Sequence, residues 1–187
     1  VRFKAQVETV FELPMKVSLS GPREDSKSNL YVCSQAGEII KFNEKGEYSI
    51  ILSLTGQPNC ISFDFHEDGN ENSSQKANKD DETTDIYYFT DIANSVIYSK
   101  KPNMEKPEVL IRDYEGNPLI GPTSIAFNSE DNSIFFCDGG FFESTSLTHP
   151  AGSVYHVDLD GRTTAPIIEK CLAYPADIIF EGIIGTG

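Results

Sequence analysis

The stretch of sequence that decides the fold is Gly121-Pro-Thr-Ser-Ile-Ala-Phe-Asn-Ser-Glu-Asp-Asn-Ser-Ile-Phe-Phe-Cys-Asp-Gly139. It holds a short apolar run, a polar turn and an aromatic run that ends at Asp138. After a loop, Gly152-Ser-Val-Tyr-His-Val-Asp-Leu-Asp-Gly161 adds a third apolar run, closed by an Asp-Gly turn. Short β-branched and aromatic runs bounded by Gly, Pro, Asn and Asp are typical of strands. The stretch therefore predicts three consecutive β-strands.

The same order of runs recurs along the chain, each time after a proline. The prolines are Pro14, Pro58, Pro122 and Pro175, and the two longer intervals contain visible insertions at 65–85 and 139–151. Without these insertions the repeat is about 40–44 residues long and holds four strands, which is the period of a propeller blade. No window longer than about ten residues shows a helical stripe. The sequence therefore predicts an all-β protein, a β-propeller of four-stranded blades.

The prolines also divide the chain into blades. The predicted segments are a lead-in strand at 1–13, blades at 14–57, 58–121 and 122–174, and the first strand of a fourth blade at 175–187. In the first blade, residues 17–19 form the predicted opening strand and residues 20–28 a flexible polar turn. Three blades leave strand edges and an apolar blade face uncovered, so we expect the chain to be part of a larger propeller.

The insertion in the second blade is acidic. Residues 66–84 contain no apolar side chain beyond Ala77, so they bury too little surface to offset their ordering entropy and are predicted to be disordered. One interpretation is an acidic arm for a basic partner or for calcium. The other is a solvated insertion with no partner.

The insertion in the third blade, residues 139–151, differs in composition because it carries large apolar side chains. Phe141, Phe142 and Leu147 predict a loop that packs, and a loop of this kind is a lid, a docking surface or a plain covering of the blade. The candidate interaction residues are Phe141, Phe142, Glu143 and His149.

Composition and charge limit the partners. The net charge of −14 argues against nucleic acid or an anionic membrane as the main partner. No apolar run approaches the roughly 18–20 residues of a transmembrane span. The four cysteines form no CxxC pair, so we expect free buried thiols in a reducing, cytoplasmic setting, with secretion as the alternative.

The stretch from 121 to 161 resembles the gluconolactonase/regucalcin-type six-bladed propellers and their strictosidine-synthase-like relatives. Members share a proline followed by Asn and an aliphatic residue, an aromatic run ending in Asp, a loop, and a final Gly-X-Val-Tyr run closed by Asp-X-Asp-Gly. NHL-repeat propellers share much of this order. The resemblance implies a six-bladed ring with a divalent metal in its central channel.

The resemblance also implies where metal ligands would lie. In the family they come from a Glu in an early Glu-Gly-Pro motif and from Asn or Asp residues after the blade-opening prolines. Glu12, in Glu12-Leu-Pro14, resembles the first position, and Asn59 resembles the second, although the regucalcin ligands lie in later blades; the metal would be Ca²⁺ or Zn²⁺. Thr123 and Ala176 depart from the pattern, and alternation along a strand aims Asp177 away from the channel. Since calcium requires about six to eight oxygens, the expectation is that no cofactor is bound.

Two carboxylates end equivalent strands, Asp91 and Asp138. They either face the channel as an acid or ligand, or accept hydrogen bonds from backbone N–H groups of a nearby turn. Two functions remain open. The first is a noncatalytic interaction or scaffold domain that binds a protein partner through its loops. The alternative is a metal-dependent lactonase or esterase with the metal in the channel.

Overall fold

The computed structural model describes residues 12–13, 16–64, 86–102, 104–141, 143 and 145–179. These residues form fourteen strands and no α-helix. The first sheet holds β1 (Leu19–Glu24), β2 (Leu30–Ser34), β3 (Glu38–Phe42) and β4 (Tyr48–Ser53). The second holds β5 (Pro58–Asp64), β6 (Ile86–Asp91), β7 (Val96–Lys100) and β8 (Glu108–Ile111). A short ribbon of β9 (Asp113–Tyr114) and β10 (Asn117–Pro118) precedes the third, which holds β11 (Pro122–Asn128), β12 (Ser133–Asp138), β13 (Gly152–Asp158) and β14 (Thr163–Leu172).

Each large sheet is an antiparallel meander whose four strands are hydrogen-bonded in chain order. The first strand of each sheet lies at the inner edge, where β5 packs against both β1 and β11. The three sheets form an open array over the described residues. This architecture confirms the predicted all-β fold of four-stranded blades in a partial propeller.

The two larger parts of the core lie between the sheets, and a smaller buried cluster lies on the first sheet alone. The second strands contribute to both of the larger parts, because their alternate side chains reach the sheets on either side. Tyr31, Ile61 and Phe89 are fully buried between the first and second sheets, and Ile97 and Phe136 between the second and third. Each such side chain contributes about 1.5–3 kcal/mol by leaving water.

The opening of the first sheet differs from the prediction. β1 runs through residues that the sequence assigns to a flexible turn, and Leu19 pairs with Ser34 in the way that Pro58 pairs with Asp91. The physical reason is a bulge at Gly21, which mimics a turn signal but only shifts the register. The true turn follows and is ordered, since buried Asp25 accepts hydrogen bonds from the backbone N–H groups of Lys27 and Asn29.

The ends of the array are only partly described. Residues 12–13 and 173–179 contain no strand, so the predicted first strand of a fourth blade is absent from residues 175–179. Residues 1–11 of the predicted lead-in strand, the acidic insertion at 66–84 and residues 180–187 lie outside the described residues. None of the described residues forms a helix with the length and apolarity needed to cross a membrane.

Candidate functional site: the central cavity and the loop surface

A cavity of about 280 Å³ lies where the inner strands β1, β5 and β11 approach one another. The residues that follow three of the repeat prolines, Asn59, Thr123 and Ala176, all line this central cavity. The repeated proline therefore places the next residue toward the centre of the array.

The polar side chains at these positions link one blade to the next. Asn59 donates a hydrogen bond from its side-chain amide to the backbone oxygen of Thr123, at 2.6 Å. The hydroxyl of Thr123 donates in turn to the backbone oxygen of Pro175, also at 2.6 Å. Asn59 and Thr123 therefore each donate a side-chain hydrogen bond to the protein's own backbone rather than to a ligand.

Asp177 lies in the central cavity, so the prediction that alternation aims it elsewhere is wrong. The reason is that 173–179 is not a strand and alternation does not apply there. The carboxylate accepts hydrogen bonds from the Ser124 hydroxyl at 2.7 Å and from the Arg23 guanidinium at 3.1 Å. Burial raises the pKa of Asp177, but these two partners and the backbone N–H of Ile178 outweigh burial and hold the pKa below its ordinary value.

The described residues do not fit the divalent metal that the family resemblance implies. Glu12 is exposed and does not line the central cavity, while Asn59 does. Within the described ranges, no group of three or more His, Cys, Asp or Glu side chains is arranged to hold a metal ion. The Arg23 cation already pairs with Asp177, and a second cation beside it would be repelled.

Asp91 and Asp138 lie outside the lining of the central cavity; each binds the linker that leads into its own sheet, and Asp91 also binds the turn that follows it. Asp91 is fully buried and accepts from the backbone N–H groups of Gln57 at 2.9 Å and Asn94 at 3.0 Å. Asp138 accepts from the N–H groups of Ile120 at 3.0 Å and Gly121 at 2.8 Å. Burial raises the pKa of Asp138, and its two backbone hydrogen bonds only partly offset this.

The loop at 139–151 presents apolar side chains to solvent. Leu147 is 91% exposed and Phe141 is 43% exposed, so the expectation that Leu147 packs is wrong. Glu143 and His149 are exposed, and Phe142 lies outside the described residues. We call Phe141, Glu143, Leu147 and His149 the loop surface.

Hydrogen bonds connect the described residues of this loop. The backbone N–H of Ser146 donates to the oxygen of His149 at 3.2 Å, and the N–H of His149 returns a bond to the Ser146 hydroxyl at 3.1 Å. The hydroxyl of Thr145 accepts from the N–H of Ala151 at 3.0 Å. At the root, Gly140 donates to the oxygen of Gly121 at 2.8 Å. Leu147 is therefore displayed at the tip of an ordered turn.

Sequence reasoning missed Arg23, Ser124 and Asp177 in the cavity and Leu147 in the loop surface. Arg23 lies in a segment whose sequence is typical of a turn. In the structure, a bulge at Gly21 lets β1 continue through this segment, so Arg23 belongs to the inner strand of the first sheet. For Leu147 the usable signal was its setting, a lone leucine among Ser, Thr and His residues that form a tight turn.

No protein-family model matches this chain, and no curated protein sequence matches it. Among solved structures, the chain is similar to one of a nidogen/laminin complex, with a TM-score of 0.62 and 16% identity over 87% of this chain and 52% of that chain. It is also similar to a structure reported as a gluconolactonase, with a TM-score of 0.56 and 14% identity over 84% of this chain and 50% of that chain. A third is a calcium-binding regucalcin from Agrobacterium tumefaciens, with a TM-score of 0.54 and 10% identity over 81% and 43%.

These likenesses concern the fold. The chain has a gluconolactonase/regucalcin-like β-propeller fold and spans about half the length of the solved structures that it resembles. At such identities neither an activity nor a ligand follows from the comparison.

Proposed function

We propose that this chain is a noncatalytic β-propeller domain that binds a protein partner through the loop surface. The observation that carries the proposal is the 91% exposure of Leu147 at the tip of a hydrogen-bonded turn. An exposed leucine on an ordered loop loses little entropy on binding, so burying it in a partner yields most of its transfer free energy.

The composition of the loop that carries Leu147 supports a protein partner. Phe141 adds a second apolar side chain, and Glu143 and His149 add polar groups, which is the mixture found at protein interfaces with an apolar centre and a polar rim. The same fold occurs in a solved structure that is a complex of two proteins.

The experiment that tests this proposal compares affinity capture by the unaltered chain and by Leu147→Ser. We expect Leu147→Ser to lose specific partners while its thermal unfolding stays unchanged, because the side chain contacts mainly solvent. The matched control is Ile167→Ser, which removes an apolar side chain of 55% exposure from β14 outside the loop surface. Identical partner sets for all three proteins would contradict the proposal.

A deletion of residues 66–84 tests the acidic insertion as a second binding arm. Its charge would favour a basic partner surface, and such an attraction weakens as salt rises. Capture that is unaffected by the deletion would leave the loop surface as the whole site.

The alternative function is a metal-dependent lactonase or esterase, in keeping with the gluconolactonase and regucalcin structures that share the fold. Calorimetric titration with Ca²⁺ and Zn²⁺, followed by a lactone hydrolysis assay, separates the two functions. Metal-dependent turnover that is lost in Asn59→Ala would overturn the noncatalytic proposal and favour the hydrolase.

We also propose a reducing compartment, the cytoplasm, as the setting of this domain. All four cysteines are free, and three of them are buried. Subcellular fractionation tests this placement, and recovery from the culture medium alone would favour secretion instead.

A further inference from the structure

One exposed apolar side chain outside the loop at 139–151 lies next to the root of that loop. Ile120 is 40% exposed and belongs to the linker that leads into β11. The backbone oxygen of the next residue, Gly121, accepts a hydrogen bond from the N–H of Gly140 at 2.8 Å, which continues the antiparallel pairing of β11 with β12 beyond the end of the sheet. Ile120 and Phe141 therefore flank this contact, one on the linker and the other on the loop.

The linker and the loop meet without a side chain of their own between them. A Cβ added to Gly121 would lie 3.0 Å from the Cα of Gly140 and 3.0 Å from a side-chain carbon of Ile92. Ile92 is 8% exposed, so it forms the buried base of this contact. We call Ile92, Ile120 and Phe141 the junction patch.

The backbone that carries the junction patch is already held by hydrogen bonds. The N–H groups of Ile120 and Gly121 donate to the buried carboxylate of Asp138 at 3.0 and 2.8 Å, in addition to the bond between Gly121 and Gly140. Ile120 and Phe141 are 40% and 43% exposed on this fixed backbone. Covering them costs little backbone entropy, so a partner that buries them gains most of their transfer free energy.

The two segments that carry the exposed part of the junction patch are acidic. Residues 112–121 and 138–151 hold four carboxylates and one guanidinium, those of Asp113, Glu115, Asp138, Glu143 and Arg112. All of these except Asp138 are exposed. The N–H of Leu119 donates to the oxygen of Arg112 at 3.1 Å and closes the ribbon of β9 and β10 directly before Ile120. Since the whole chain also has a net charge of −14, these segments favour Lys and Arg over Asp and Glu in a partner.

We propose that the junction patch extends the loop surface, and that the partner is a basic protein segment that buries an aliphatic or aromatic side chain on this patch. The Lys and Arg side chains of the segment pair with the exposed carboxylates of the linker and the loop. Such an interface has an apolar anchor at its centre and hydrated charges at its rim. The inference rests on the proposed function, because Phe141 belongs to both surfaces.

The probe is a phage-displayed library of random dodecapeptides, selected on the unaltered chain. We expect the enriched peptides to carry a net positive charge and at least one large apolar residue. A synthetic copy of an enriched peptide should bind in calorimetry, and its affinity should fall as the salt concentration rises. Enriched peptides without net positive charge, or a selection that yields no binder, would overturn the inference.

Ile120→Ser locates the binding site of the selected peptide. It should weaken the peptide by about tenfold and leave the thermal unfolding of the chain nearly unchanged. The matched control is Ile50→Ser, which removes a side chain of 44% exposure from β4 of the first sheet. Ile50→Ser should bind the peptide like the unaltered chain, and equal weakening by the two substitutions would overturn the site.

A pair of double variants tests the charges. Glu115→Gln/Glu143→Gln should weaken the peptide by about threefold or more. Glu44→Gln/Glu130→Gln removes the same two negative charges from exposed positions in other turns and should have little effect. Equal weakening in both double variants would assign the effect to net charge and overturn the basic partner segment.

Leu147→Ser separates this inference from the proposed function. If Leu147→Ser weakens the peptide and Ile120→Ser does not, the loop surface stands and the junction patch is wrong. If Ile120→Ser weakens the peptide and Leu147→Ser does not, the proposed role of the loop tip fails and the junction patch stands.

Discussion

Arg23 and Asp177 stand 154 positions apart in the sequence, yet the guanidinium of one lies 3.1 Å from the carboxylate of the other. Arg23 belongs to β1, the inner strand of the first sheet, and Asp177 to the segment that follows the third sheet. Their ion pair therefore joins the two ends of the described array across the central cavity.

The first prediction concerns this pair. The side chains are 26% and 64% exposed, so Arg23→Gln should lower the free energy of unfolding by less than about 1 kcal/mol. Since the folded pKa of Asp177 is lowered, its stabilising contribution is present above the unfolded pKa and disappears as the pH falls through the folded pKa. Urea unfolding at neutral pH and in acid measures both effects.

A double-mutant cycle with Asp177→Asn isolates the interaction from the separate effects of each substitution. The coupling free energy should be positive at neutral pH and vanish in acid. A coupling free energy that does not change with pH would show that the pair is not held by charge.

The second prediction concerns Asp138, whose pKa is shifted in the opposite direction. Because burial raises its folded pKa above the unfolded value, the ionised carboxylate opposes folding at neutral pH. As the pH is lowered through the folded pKa toward the unfolded one, this contribution should make the protein more stable. The test measures unfolding free energies from neutral pH down to about pH 4, near the ordinary pKa of Asp.

Asp138→Asn provides the comparison for this second prediction. It should be less stable overall, since an amide nitrogen cannot accept the Ile120 hydrogen bond, and it should lack the gain in stability on acidification. If the free energy of unfolding changes with pH equally in Asp138→Asn and in the unaltered chain, the buried carboxylate is not the source of the pH dependence.

Much of the fold could be predicted because the second and third blades follow simple local rules. β11 begins at Pro122 and β12 ends at Asp138, as the apolar runs of the sequence predict. Asn59 and Thr123 line the central cavity, as their positions after prolines imply. These features depend on neighbouring residues in the sequence. They are visible without knowledge of tertiary contacts.

The missed features depend on contacts between distant segments. Nothing near Gly21 in the sequence shows that β5 lies against it, so the sequence predicts a turn where the structure has a bulge. The position of Asp177 follows from bonds to Ser124 and Arg23, not from the alternation of a strand. Leu147 is exposed because the loop satisfies its hydrogen bonds internally, and apolar character alone predicted the reverse.

The third prediction concerns Gly21, which lies between the two inner strands. It has a φ of 55°, and an added Cβ would lie 2.7 Å from the Cα of Cys60 and closer still to the backbone oxygen of Asn59. Gly21→Ala should therefore destabilise the fold by more than about 2 kcal/mol, since both atoms belong to the backbone and cannot rotate away.

Gly116→Ala is the matched control for Gly21→Ala. Gly116 also has a positive φ, 79°, but no atom lies within 4 Å of its added Cβ. The free energy of unfolding of Gly116→Ala should fall by only about 1 kcal/mol, which is the cost of placing alanine at a positive φ. Urea unfolding curves compare the two variants, and an equal loss would mean that β1 does not press against β5 at Gly21.

The fourth prediction concerns the cysteines. Cys33, Cys60 and Cys137 are at most 3% exposed, whereas Cys171 is exposed. Burial, followed by the nearby Asp177 and Cys60, raises the pKa of Cys137 to about 12, and burial raises that of Cys33 further. Because the thiolate is the reactive form, a maleimide at neutral pH should modify Cys171 alone in the folded protein. Mass spectrometry should show one adduct on the folded chain and four after unfolding in urea. Folded Cys171→Ser, the control, should carry no adduct. Rapid labelling of Cys33 or Cys137 in the folded chain would contradict the prediction, since it would mean that the sheets open far more often than their packing implies.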